Sequence, residues 1–305
     1  MRRAQYRGRF APTPSGALHF GSLVAAVASY ADARATGGEW LVRIEDVDVR
    51  RAREGAADAI LRALERYGFT WDGAVVRQSQ RTDAYEAALE VLRARGLTYR
   101  CGCTRADIVA LPLGPLGERV YPGTCRDGVR ETRAHNACAI RVRVPPAPIA
   151  FVDRVFGALA QRLDDDVGDF AVRRSDGVFA YQLAVVVDDA MQGVTDVVRG
   201  ADLLASTPRQ MFLQQALAYA TPRYMHVPVA VDASGAKLSK SAGEARLPRS
   251  PLPTLVAAWR FLGQTLVDAP TSVDDFWRFA IARWQPERIP ASRTLPAPRL
   301  APANV

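Results

Sequence analysis

A strand, a helix, a second strand and a second helix follow one another from Arg7, and few folds accept that order. Residues 7–12 read as a short strand that runs into the turn-rich Pro12-Thr13-Pro14-Ser15-Gly16. From Leu18 the apolar Leu23, Val24, Val27 and Tyr30 recur at helical spacing until Gly37-Gly38 stops them. Trp40 to Ile44 is a second strand. The acidic turn Glu45-Asp46-Val47-Asp48 follows it, then amphipathic helices over Glu54 to Tyr67 and Asp83 to Arg95. Consecutive parallel strands need crossover helices of one hand, which cover the sheet and leave ligands to the carboxyl ends of the strands. The expected fold is therefore α/β, a doubly wound parallel sheet of Rossmann type.

Between Cys101 and Arg143 the periodicity lapses, and Gly114, Pro115, Gly117, Pro122 and Gly123 mark an insertion. The alternation then resumes. Phe179 to Val187 reads as a buried strand, Thr207 to Ala220 as a helix with Pro208 in its first turn, and His226 to Val231 as another strand. Helices are expected over Leu252 to Leu266 and Val273 to Arg283, and the Pro-rich stretch from Pro290 as a mobile tail.

The 305 residues carry 40 basic and 32 acidic side chains, a net charge of +8, which favours polyanionic partners such as nucleotides or nucleic acid. Only Lys237 and Lys240 are lysine, so the other 38 of the 40 are arginine. A compact ammonium differs from a guanidinium fork, and both sit in Lys237-Leu238-Ser239-Lys240-Ser241. No apolar run approaches the roughly 20 residues that cross a bilayer. The Met1-Arg2-Arg3 start has no apolar signal region behind it, so no membrane partner and a cytoplasmic location are expected.

The first strand, its turn and a helix mouth bearing His19, Gly21 and Ser22 form an arrangement in which free N–H groups and the positive helix end can face a phosphate. The ordinary alternative is a plain N-cap, with Ser22 as the capping residue. Neither a Walker loop nor Gly-x-Gly-x-x-Gly occurs in the chain, so another nucleotide fold is needed. The lysine segment, after the Asp232-Ala233-Ser234-Gly235 turn, has the charge and hydroxyls to stabilise a transferring phosphoryl group by closing on it. Together the two segments resemble the two signatures of class I aminoacyl-tRNA synthetases. Arg9 to Gly16, Arg43-Ile44-Glu45-Asp46, Ser175-Asp176-Gly177 with Tyr181, Asp188-Asp189 and Arg199-Gly200 resemble the glutamyl branch.

Within that branch the chain is similar to the short glutamyl-queuosine tRNA(Asp) synthetase family. Its second signature reads Arg199-Gly200-Ala201-Asp202-Leu203, and Gln182 follows Tyr181 where ordinary enzymes tend to carry histidine. Serine stands at Ser22 in place of the general signature's second histidine, as in the short family. With 64 residues after Ser241, no anticodon-binding domain is expected.

The resemblance implies a glutamate site of Arg9, Phe10, Ala11, Pro12, Thr13, Glu45, Tyr181 and Arg199. There Arg9 and Arg199 would grip carboxylates with their forks and Glu45 would pair the α-ammonium. It implies an ATP site of His19, Gly21, Ser22, Lys237, Ser239 and Lys240, with His19 and Lys240 catalytic and Mg2+ accompanying ATP.

Cys101, Cys103, Cys125 and Cys138 are too few and too clustered for a disulfide scaffold, so a metal site is the better reading. Chemistry alone favours Cys138 or His135 as the fourth ligand. The family pattern instead implies one structural Zn2+ on Cys101, Cys103, Tyr121 and Cys125.

The implied divisions are residues 1–100, the first half of the catalytic domain; 101–175, the zinc-bearing insertion; 176–250, the second half with the lysine loop; 251–289, a helical stem; and 290–305, the tail. The implied reaction activates L-glutamate with ATP and transfers it to the queuosine of tRNA(Asp), in a monomer. Two readings stay open beside it: a truncated glutamyl-tRNA synthetase charging the 3′ end of tRNA(Glu), and a non-enzymatic zinc and RNA-binding protein on a synthetase fold. Intact Lys237 and Lys240 weigh against the second.

Overall fold

A computed structural model of the chain describes residues 5–115, 117–130, 137–238, 247–266 and 268–300. It opens with β1 (Arg7–Phe10), α1 (Phe20–Ala35), β2 (Glu39–Ile44), α2 (Ala56–Arg66), β3 (Val76–Arg77) and α3 (Thr82–Ala94). The glycine-rich middle forms β4 (Thr98–Cys101), α4 (Arg105–Val109), β5 (Ala139–Val142), β6 (Pro148–Asp153), β7 (Gly157–Arg162), α5 (Leu163–Asp166) and β8 (Ala171–Arg173). The remainder forms α6 (Tyr181–Met191), β9 (Asp196–Gly200), α7 (Thr207–Leu217), β10 (Arg223–Val227), β11 (Val229–Val231), α8 (Pro251–Phe261), α9 (Val273–Ala282) and β12 (Thr294–Pro296).

β1, β2 and β3 pair in parallel, and so do β9 and β10. β9 runs beside β1, tied by the Thr195 N–H to the Arg7 carbonyl at 2.9 Å. The winding reverses between β1 and β9, the switch point at which such sheets open a ligand crevice. Alternation along the strands fills two cores: Val198 and Met225 face α1, α8 and α9, whereas Val197 and Tyr224 face α3, α6 and α7. The sheet is thus covered on both sides, as the alternation predicts. β4, β5 and β8 form a separate antiparallel sheet, and the β6–β7 hairpin joins the main sheet through β6, parallel to β10.

Three expectations are corrected. Phe179 to Val187 is not a strand: from Tyr181 the chain is the helix α6, buried from Leu183 to Asp189. A short apolar run suits a buried strand and a buried helix equally, and packing against α3 and α7 outweighs the strand preference of Val185, Val186 and Val187. His226 to Val231 is two strands, β10 and β11, because Pro228 between them has no N–H for a ladder. The tail expected to be mobile contains β12, which pairs in parallel with β11 from Val229↔Thr294 to Val231↔Pro296. Proline is tolerated there because Pro296 ends an edge strand.

α1 is the central helix. Asp32, buried within it, accepts from Tyr6 Oη at 2.6 Å, from Arg154 Nη1 and Nη2 at 2.5 and 2.9 Å, and from Trp284 Nε1 at 2.9 Å. One carboxylate thereby ties the start of β1, the β6–β7 turn and the segment after α9. Asp32→Ala leaves these donors without their acceptor and should lower stability by about 3 kcal/mol or more, read as a fall in the urea midpoint; an unchanged midpoint would contradict the role.

Candidate functional site

The crevice at the carboxyl ends of β1, β2, β9 and β10 is a cavity of about 890 Å³. Its lining includes every described residue of the two expected sites: Arg9, Phe10, Ala11, Pro12, Thr13, Glu45, Tyr181 and Arg199, together with His19, Gly21, Ser22 and Lys237. Ser239 and Lys240 lie outside the described residues, as does His135.

Behind the cavity lies a buried ion network. Arg43 is 0% exposed among the apolar residues Trp40 to Ile44 of β2, and its Nη1 donates to Asp189 Oδ1 at 2.8 Å and to Gln192 Oε1 at 2.7 Å. Its Nη2 reaches Glu45 Oε1 at 3.2 Å. Arg9 donates to both oxygens of the same Asp189 at 3.1 and 3.3 Å. Burial opposes the charge of Asp189, but Arg9 and Arg43 outweigh it and hold the carboxyl below its ordinary range. Glu45 is pushed the other way: burial raises its pKa more than Arg43 and Arg9 lower it. Burial, helped by the charge of Glu45, also raises the Tyr181 phenol, which therefore remains a hydroxyl donor.

Arg199 is built differently. It is 5% exposed, and it donates through Nε to His226 Nε2 at 3.0 Å, through Nη1 to Gln210 Oε1 at 2.7 Å and through Nη2 to Thr207 Oγ1 at 2.9 Å and the Leu203 carbonyl at 3.4 Å. All four acceptors are neutral groups, and among the described residues Arg199 makes no ion pair with a carboxylate. A buried cation with no carboxylate in direct contact is suited to take an anion from the cavity. The two forks expected to grip carboxylates are held by the protein itself: the Nε/Nη2 edge of Arg9 is on Asp189, and the Arg199 donors are on the acceptors just described.

At the helix mouth the N-cap of α1 is His19, not Ser22: the Ser22 N–H donates to His19 Nδ1 at 3.3 Å, and the Ser22 hydroxyl lies 3.1 Å from His19 Nε2. A Cβ on Gly21 would come within 3.3 Å of the His19 ring, so glycine keeps room there. Lys237 pairs with Asp202 at 2.5 Å, which brings the lysine segment against the Arg199-Gly200-Ala201-Asp202 turn. Gln210, His226 and Asp153 are given no functional role by the sequence, and Arg43 and Asp202 enter only as members of motifs; Arg43 also stands out as a charge inside the apolar strand Trp40 to Ile44.

In the insertion, the thiols of Cys101, Cys103 and Cys125 lie within 4.8 Å of one another. Cys103 Sγ to Cys125 Sγ is 3.7 Å, and Tyr121 Oη is 3.2 Å from Cys101 Sγ and 3.5 Å from Cys103 Sγ. Sulfurs about 2.3 Å from a tetrahedral metal stand roughly 3.8 Å apart, so the donor set fits such an ion with Tyr121 at the fourth corner. Gly168, at φ +68°, lets Tyr121 approach, because a Cβ there would lie 2.0 Å from the Tyr121 carbonyl oxygen. Burial raises the Cys101 thiol, yet the Tyr121 and Arg141 contacts bring it below its usual value. Cys138 lies outside this group, its sulfur 3.6 Å from Arg100 Nη2.

A switch-point crevice with a histidine helix mouth, a lysine segment and an inserted thiol cluster defines a class I synthetase catalytic domain. The family of tRNA synthetases class I (E and Q), catalytic domain, matches residues 5–249. Glutamyl-Q tRNA(Asp) synthetase of Pseudomonas aeruginosa PAO1 is 53% identical over 300 residues, 97% of this chain and 99% of that protein. The protein of the same name from Dechloromonas aromatica is 53% identical over 290 residues, 93% of this chain and 96% of the other. The chain belongs to the class I tRNA synthetases and, within them, to the glutamyl-Q tRNA(Asp) synthetase family. A glutamate tRNA ligase from Elizabethkingia meningosepticum has the same fold at a TM-score of 0.78 and 24% identity, covering 97% of this chain and 67% of that one.

Elemental analysis of the purified protein should find one thiolate-bound metal ion per chain. Cys125→Ser should lose it and Cys138→Ser should retain it; loss from Cys138→Ser with retention in Tyr121→Phe would overturn this donor set.

Proposed function

We propose that this chain activates L-glutamate with ATP and transfers the glutamyl group to queuosine in tRNA(Asp). The observation that carries the reading is the pairing of Arg199, a buried cation whose hydrogen-bond partners among the described residues are neutral, with the pressed-up carboxyl of Glu45 in one cavity. An amino acid with a second carboxylate offers the complementary charges. Its side-chain carboxylate goes to Arg199, with the Tyr181 hydroxyl alongside, and its ammonium goes to Glu45. The α-carboxylate oxygen then attacks the α-phosphorus of ATP, forming glutamyl-adenylate and releasing pyrophosphate. His19, the α1 N-terminus, Lys237 and, from its place in the motif, Lys240 bear on the charge of the phosphates. A hydroxyl of the RNA finally attacks the acyl carbon, and AMP leaves. Mg2+ bound with ATP would neutralise phosphate charge. Zn2+ on Cys101, Cys103, Cys125 and Tyr121 would order the insertion, since four protein donors leave no position for water.

Acceptor choice rests on the family name of the relatives, and the arginines at the cavity rim suit an RNA partner in general. Arg50, Arg51 and Arg53 line its mouth and suit RNA phosphates, which add affinity without sequence information.

Purified protein should exchange pyrophosphate into ATP with glutamate and without tRNA; exchange that needs tRNA would contradict a self-sufficient site. A carboxyl with a raised pKa must ionise to take an ammonium, so the KM for glutamate should fall as pH rises through the Glu45 pKa. Glu45→Gln should flatten that profile and raise KM about thirtyfold or more. With labelled glutamate, tRNA from queuosine-making cells should be labelled even after periodate oxidation of its 3′ ribose, and tRNA lacking queuosine should not. Label on the 3′ adenosine of tRNA(Glu) would favour a truncated glutamyl-tRNA synthetase.

A further inference from the structure

We propose that His226, backed by Asp153, is the positioning residue that makes Arg199 select a carboxylate, because it aims the guanidinium as a neutral acceptor and keeps the Asp153 carboxylate one ring away from direct contact with it. The inference rests on the glutamate reading above and adds the source of its selectivity.

Three neighbouring strands supply the parts. Arg199 on β9 stands directly opposite His226 on β10, and Asp153 closes β6 on the far side of β10. His226 and Asp153 are 0% and 1% exposed. Arginine can only donate, so His226 Nε2, 3.0 Å from Arg199 Nε, must be the bare nitrogen of the ring. The proton is then on Nδ1, which donates to Asp153 Oδ2 at 2.7 Å. Asp153 accepts there as a carboxylate: burial opposes its charge, but the His226 contacts and the N–H groups of Phe156 and Val155 hold its pKa low. Those two N–H groups bond Oδ1, at 3.0 and 2.9 Å, so the two oxygens divide their work between the hairpin turn and the ring. The ring is stacked on Tyr224 at 6.2 Å, and Thr207 Oγ1 lies 3.4 Å from Nε2.

Burial lowers the His226 pKa to about 4, with Arg199 acting in the same direction and Asp153 and Asp202 against it. The ring therefore stays uncharged at neutral pH. The contrast is with the network behind the cavity, where Arg9 and Arg43 lean directly on the carboxylate of Asp189, which cancels much of their charge. An anion in direct contact behind Arg199 would weaken its pull on a carboxylate in front of it. With a neutral imidazole between Arg199 and Asp153, a carboxylate side chain gains a contact ion pair with the guanidinium that a glutamine side chain cannot supply.

The test uses the full-length protein. His226→Leu removes the acceptor and should raise the glutamate KM in pyrophosphate exchange about tenfold or more while narrowing the preference for glutamate over glutamine. The KM for ATP should stay within about twofold. His226→Gln, whose amide oxygen can replace Nε2, should recover most of the loss. With only three histidines in the chain, 15N labelling of the rings reads the tautomer without any activity: one ring should hold its proton on Nδ1 and stay neutral well below pH 6, and Asp153→Asn should disturb that signal. A folded His226→Leu with an unchanged glutamate KM overturns the proposal. So does an equal rise in both KM values that His226→Gln does not reverse, which would mark the ring as packing alone. Wild-type protein that exchanges pyrophosphate with no amino acid overturns the glutamate reading itself, and this inference with it.

Discussion

The guanidinium of Arg43 is wholly enclosed, and the placement of the site depends on how its charge is met. It comes from β2, the first half of the sheet, whereas Asp188 and Asp189 come from α6, in the second half. An isolated ion at such depth would cost several kcal/mol, on the order of 5, so the two halves are held in the one relation that brings the charges together. Asp188 extends the network by accepting from Tyr85 Oη at 2.7 Å and Gln78 Nε2 at 2.9 Å. Asp189 extends it to Arg9 at the edge of the cavity. Glu45, just after β2, is positioned by the same guanidinium, while its burial raises its pKa against the pull of that charge.

Much of this was legible in the sequence, and the reasons for the rest are physical. The parallel sheet and α1 to α3 follow from periodicity, which is a local property. The membership of the cavity follows from motif order, because each motif sits where a strand ends. What could not be read is pairing over distance. His226 and Asp153 are 73 residues apart, and Arg43 and Asp189 146 apart, so neither has a signal in any window of sequence. The α6 error has the same origin: the run from Leu183 to Val187 is apolar on every side because helices and sheet surround it, and a helix buried all round loses the periodicity that would identify it.

Metal and nucleotide regions differ in how their positions are enforced. Cys101 ends β4, but Tyr121 and Cys125 lie in irregular chain, placed by the close approach of Gly168 and by hydrogen bonds such as the Cys125 N–H to Tyr121 Oη at 3.2 Å. Such a region has a small core of its own, with Tyr99, Cys103, Ile108 and Leu111 packed around Cys101, Tyr121 and Cys125. Burial of so few apolar side chains gives limited stability, and a bound ion would add to it.

The lysine segment is anchored by elements that carry none of its chemistry. β11 leads into it, and β12, from the Pro-rich end of the chain, is paired along β11, with the Ala297 N–H on the Val231 carbonyl at 2.8 Å. Leu238 donates to Ala230 at 3.1 Å, and Leu247, the next described residue, donates to the Leu18 carbonyl at 3.3 Å, beside the His19 cap. Tyr67 Oη then bonds the Pro248 carbonyl at 2.9 Å. Leu238 and Leu247, the described residues on either side of 239–246, are therefore both held, one to β11 and one beside the helix mouth. A proline-rich stretch with no motif of its own, β12, is in this way part of what holds the strand that leads into the lysine segment.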